Sequence, residues 1–118
     1  MRILLMFALV LTFIFTVTAF AEPPLMSPAG VDKGAAMHND AGIQALNGGD
    51  ASAAEMHFRE ALKIAPHFAR AHYNLGLALH AQNKHVPATE EFKKARDLDP
   101  KDKQIVDSEI LKTHIAKH

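Results

Sequence analysis

The stretch ARAHYNLGLALHAQNKHVPATEEFKKARDLDPKD, residues 69–102, decides the reading of this chain, because AAMHNDAGIQALNGGDASAAEMHFREALKIAPHF, residues 35–68, repeats its plan. Laid over each other without a gap, the segments agree at Ala35 and Ala69, His38 and His72, Gly42 and Gly76, and Ala54 and Ala88. They agree again at Phe58 and Phe92, Ala61 and Ala95, and Pro66 and Pro100, while Ile43 with Leu77 and Ile64 with Leu98 are conservative exchanges. Identities spaced in this way mark one supersecondary unit used twice.

The shared residues have physical work to do. Gly42 and Gly76, with Ala54 and Ala88, are small where the two antiparallel helices of one unit must approach closely. Phe58, Leu62 and Ile64 in the first unit, and Phe92 and Leu98 in the second, form an apolar stripe that a single helix pair cannot bury alone. Gly48 and Gly49 close one helix and Asp50 is placed to cap the next. Asn83 falls in a turn, Pro87 in a first helical turn where its missing N–H is harmless, and Pro66 and Pro100 stop their helices. The spacing predicts helices over 35–47, 51–64, 69–82, 87–98 and 103–116. In the last of these, Ile105, Val106, Ile110, Leu111 and Ile115 share a face, the form of a helix that caps a repeat array. The fold class is therefore all-α, a short α-solenoid of antiparallel helix-turn-helix repeats with about five helices.

This pattern resembles the tetratricopeptide repeat family, whose repeat runs W-x2-L-G-x2-Y, then A-x3-F, then P. The second repeat reads His72-x2-Leu75-Gly76-x2-Leu79, then Ala88-x3-Phe92, Ala95 and Pro100. The first reads His38-x2-Ala41-Gly42-x2-Ala45, then Ala54-x3-Phe58, Ala61 and Pro66. Both replace the first aromatic by His, and the alanines of the first repeat predict looser packing there. The division that follows is repeat one over 35–68, repeat two over 69–102 and a capping helix over 103–118.

The resemblance implies a protein-binding role on the concave surface lined by the first helix of each pair. The corresponding positions are Ala36, Asn39, Asp40, Ile43, Leu46 and Asn47, then Arg70, Tyr73, Asn74, Leu77, His80 and Ala81. Ile43, Leu46, Tyr73 and Leu77 make an apolar strip, with Asn39, Arg70, Asn74 and His80 able to hydrogen-bond a peptide or helix laid along it. One subtype of the family clamps a C-terminal carboxylate, and only Asn74 matches that set. Asn39, Ile43, Gln104 and Ser108 stand at its other positions, so the expected ligand is an apolar segment rather than a carboxylate tail. The alternative reading of the strip is internal packing, or cover by residues 22–34 folding back.

Two segments precede the repeats. Residues 1–21, MRILLMFALVLTFIFTVTAFA, have Arg2, an apolar run and Ala19-Phe20-Ala21, which reads as a cleavable secretory signal peptide. Left uncleaved, the run would anchor the domain to the inner membrane, facing the periplasm. Residues 22–34, EPPLMSPAGVDKG, carry three prolines and two glycines and predict a flexible or extended spacer.

Composition excludes several functions. With no cysteine in 118 residues, disulfides, thiolate metal sites and a cysteine nucleophile are absent. Thirteen basic against 13 acidic residues, interspersed, leave no stripe for nucleic acid. Of the eight histidines, only His114 and His118 have a ligand-pair spacing on one helix, so no metal site and no cofactor are expected. Carboxylates such as Glu90, Glu91, Asp97 and Asp99 lie beside Lys93, Lys94 and Arg96 as a solvated surface, and no catalytic motif occurs. The expectation is an exported adaptor, periplasmic or secreted, that binds a partner protein and does no chemistry. The alternative from another class is a structural unit that self-assembles through its repeat ends.

Overall fold

The computed structural model describes residues 22–117, so the leader expected over 1–21 lies outside the described residues. Six helices make up the described part, with no strand among these residues: α1 Lys33–Asn47, α2 Ala51–Ile64, α3 Ala69–Ala81, α4 His85–Leu98, α5 Lys103–Val106 and α6 Glu109–Lys117. Helix α1 packs on α2 and α3 on α4, the pairs meet through α2 and α3, and α6 closes the stack against α4. The all-α repeat architecture is therefore present.

Local chemistry places the boundaries. Asp32 caps α1 by accepting from the N–H groups of Gly34 and Ala35, which starts that helix two residues before the repeat does. Asp50 caps α2 through Ala53 N–H, while Gly49 and Asn83 take positive φ in the two intra-repeat turns. The single capping helix expected over 103–116 is instead two. Asp107 ends α5, and Ser108 starts α6 by accepting the Leu111 N–H at 3.2 Å. Two adjacent polar residues with strong capping preference break a run whose apolar periodicity alone looked continuous.

The glycines of the repeat sit where the helices touch. A Cβ on Gly42 would lie 2.5 Å from Phe58 Cε1, and one on Gly76 would lie 2.6 Å from Phe92 Cε1. Both phenylalanines are fully buried, so each ring occupies the space that glycine leaves empty. The core continues through Ala54, Ala78, Ala88, Leu75, Leu79, Ile105 and Leu111. Burial is unequal between the repeats. Helix α1 buries Ala35, Asn39 and Gly42, whereas α3, flanked on both sides, buries every residue from Ala71 to Leu79. The looser first repeat follows from its alanines and its terminal position together.

Candidate functional site

Asn39 and Asn74 lie on the inner helices of the first and second repeats, one position out of register with each other, and both side chains are fully buried. Asn74 Nδ2 donates to Asn39 Oδ1 at 2.9 Å, which aligns the two amides as one polar unit. Leu25 lies against this unit. Its N–H donates to Asn74 Oδ1 at 2.7 Å, and its carbonyl accepts from Asn74 Nδ2 at 2.8 Å and Asn39 Nδ2 at 3.3 Å. Asn39 Nδ2 also donates to Ser27 Oγ at 3.1 Å. Both polar groups of the Leu25 backbone are thus satisfied inside the protein, where an unpaired one would cost about 1–3 kcal/mol.

The start of the spacer is therefore no free linker. Residues 22–28 lie without helix or strand along the concave face, with the Leu25 side chain buried in the main core. Ile43 and Leu46 pack on that same core, and Leu46, Leu77 and His80 line a cavity of about 530 Å³ shared with Pro23 and Pro24. Prolines at 23, 24 and 28 suit this path, because they favour extended backbone and need no donated hydrogen bond.

Electrostatic contacts fix the two ends. Arg70 Nε donates to Asp102 at 2.7 Å, and its terminal nitrogens donate to the Met26 carbonyl at 3.0 Å and to Gln104 at 2.8 Å. At the other end Tyr73 Oη donates to Glu22 at 2.8 Å, and Glu22 also accepts from Ser108 Oγ and from the backbone N–H of Glu109. Partial burial pushes the Glu22 carboxyl up, but these hydrogen bonds outweigh it and hold the group below the usual carboxylate range. Burial raises the Tyr73 hydroxyl far above its ordinary value, against the Ser108 hydrogen bond and with the help of the Glu22 charge.

All eight residues singled out for partner binding, Asn39, Ile43, Leu46, Arg70, Tyr73, Asn74, Leu77 and His80, thus border one groove, and the chain's own residues 22–28 fill it. Four of them, Asn39, Arg70, Tyr73 and Asn74, hydrogen-bond that segment directly. Glu22, Asp102, Gln104 and Ser108 complete the polar network. Of the two apolar residues in this segment, Leu25 is buried while Met26 is exposed.

Comparison with known proteins identifies the family. The model of the family described as "Tetratricopeptide repeat" matches residues 45–107, more than half of the chain, and the protein belongs to that family. Its members serve protein–protein interaction. Among curated proteins, "Cellulose synthase 1 operon protein C" of Komagataeibacter xylinus is 38% identical over 84 residues, and "Cellulose synthase operon protein C" of the same organism is 37% identical over 84 residues. Each alignment covers 71% of this chain but only 6% of the relative, so the chain matches a small part of those proteins. No solved structure matches.

Proposed function

We propose that this protein is an adaptor whose concave groove takes an extended, apolar, proline-bearing segment of a partner protein, and that it does no chemistry of its own. The observation that carries this reading is the paired-amide clamp on the Leu25 backbone. Main-chain hydrogen bonds supply affinity for any extended chain, and the buried pocket for one apolar side chain supplies selectivity. Residues 22–28 then act as an internal ligand that a partner segment must displace. An amphipathic helix suits the groove less well, because its backbone groups are already paired and cannot answer Asn39 and Asn74.

The apolar residues 1–21 support work outside the cytoplasmic membrane, after export. No described helix is long and apolar enough to cross a membrane. The relatives named for a cellulose synthase operon favour a place in an envelope assembly that handles a polysaccharide. Self-assembly is the second reading, favoured by Met37 and Met56 of the first repeat, which are 65% and 68% exposed. Light scattering separates the two: growth of mass with concentration beyond a dimer supports assembly, and a stable monomer rejects it.

The binding mode is tested with a labelled peptide of the sequence EPPLMSP and the full chain carrying Leu25→Asp, which expels the internal segment. Saturable binding is expected, with loss on adding Asn74→Ala. A peptide with the prolines replaced by alanine, free to form helix, is expected to bind less well. Equal or tighter binding of the helical peptide overturns the extended mode.

A further inference from the structure

Three histidines from three different helices meet at the closed end of the stack: His80 near the end of α3, His85 at the start of α4 and His114 on α6. One ring nitrogen from each lies within 4.8 Å of the others. The rings pack at centroid separations of 5.2 Å for His80 and His85, 5.0 Å for His80 and His114, and 5.6 Å for His85 and His114. They border a cavity of about 610 Å³ that Glu22, Glu109 and Thr113 also line.

The hydrogen bonds around His114 fix which nitrogen faces the cluster. Thr89 Oγ1 lies 2.9 Å from the His85 carbonyl, to which it can donate, and 2.8 Å from His114 Nδ1, from which it can then accept. In the tautomer with the proton on Nδ1, His114 presents its Nε2 lone pair to His80 Nδ1, 2.8 Å away. This is the arrangement of an imidazole metal ligand held by an outer partner: one nitrogen donates to a fixed oxygen, and the other aims inward.

We propose that His80, His85 and His114 form a binding site for a first-row transition-metal dication of the zinc type. Three imidazoles suit Zn2+, Cu2+ or Ni2+ and are poor ligands for Ca2+ or Mg2+. Bonds of about 2.0–2.1 Å at tetrahedral angles put neighbouring nitrogens about 3.3 Å apart, so closing the cluster needs only side-chain rotation. The ion takes the place of the shared proton. His80 loses its Nδ1 proton to water and regains one on Nε2, which leaves Nδ1 for the metal with no net change in charge. The fourth position opens to the cavity, where a water or a carboxylate of the cavity wall completes the shell. Such an ion would tie α3, α4 and α6 together, in a small domain that has no disulfide to do so. The site shares His80 and Glu22 with the far end of the groove, but none of its three imidazoles touches the Asn39–Asn74 clamp, and the metal-binding test does not require a peptide to bind the groove.

The test is calorimetry of tag-free full-length protein with Zn2+, repeated for His85→Ala, His57→Ala, Thr89→Val and Thr89→Ser. His85 is exposed, so its loss leaves the fold intact. One equivalent of Zn2+ is expected to bind saturably and raise Tm. His85→Ala should weaken binding by more than about tenfold, since even loss of an outer partner costs about 10–100-fold. Thr89→Val should weaken it by about tenfold and Thr89→Ser restore it, while His57→Ala, in the separate His38–His57 stack, should change nothing. The absence of saturable heat with Zn2+, or equal affinity in His85→Ala, overturns the proposal.

Discussion

Leu25 and Asn74 bond each other twice, the Leu25 N–H to Asn74 Oδ1 at 2.7 Å and Asn74 Nδ2 to the Leu25 carbonyl at 2.8 Å. A side-chain amide thus pairs with both backbone groups of one residue as a neighbouring β-strand would, and it does so in the interior of a helical protein. Replacing Asn74 by Ala removes both bonds and also the donor to Asn39 Oδ1. The expected loss is about 2–3 kcal/mol, because buried partners are left unsatisfied. Asn39→Ala should cost less, since the Leu25 carbonyl keeps its shorter bond to Asn74. Chemical denaturation of the two variants checks the order.

Gly76→Ala sets two effects against each other. Alanine gains about 1 kcal/mol of helix propensity over glycine. Its methyl would meet the Phe92 ring at 2.6 Å, and that ring is sealed in the core and stacks beside Tyr73 at 5.7 Å. Overpacking costs about 1–3 kcal/mol and wins, so Tm should fall. Phe92→Leu in the same chain should recover part of the loss, a coupling that a double-mutant cycle measures.

Glu91, like Glu22, should contribute to acid sensitivity. Burial raises its carboxyl, but hydrogen bonds from His72 at 2.6 Å and Lys94 at 2.8 Å prevail and hold it below the ordinary value of 4.5. A depressed carboxylate gives stability that is present above its unfolded value and is lost as pH falls through its folded one. Stability should therefore drop below about pH 4.5, and Glu91→Gln should flatten that limb. Urea midpoints across pH 3–6 supply the measurement; an unchanged acid limb in Glu91→Gln places the sensitivity elsewhere.

The burial difference between repeats predicts a difference in opening. Helix α1 seals few residues and α3 nearly all of its own, so amides of α1 should exchange with solvent well before those of α3. Hydrogen exchange resolved by residue checks this, and equal protection of the two helices would contradict it.

The repeats were legible in sequence because glycine–phenylalanine contacts recur at fixed spacing and each helix carries its own stop signal. Asn39, Tyr73 and Asn74 were legible as groove residues because the family resemblance places those repeat positions on the concave face. The split between α5 and α6 was hidden, since Asp107 and Ser108 interrupt no apolar position. Docking of residues 22–28 depends on pairing across 49 residues between Leu25 and Asn74, which no local period encodes. The histidine cluster was hidden for the same reason: spacing along one helix finds pairs such as His114 and His118, whereas His80, His85 and His114 come from three helices.

The groove's role as a reader of extended segments is tested most directly by comparing the affinity of the native chain and its Leu25→Asp variant for the labelled EPPLMSP peptide. An internal ligand competes at high effective concentration, so the variant should bind at least about tenfold more tightly than the native chain. Equal affinity in the two proteins, or no binding by either, would contradict it.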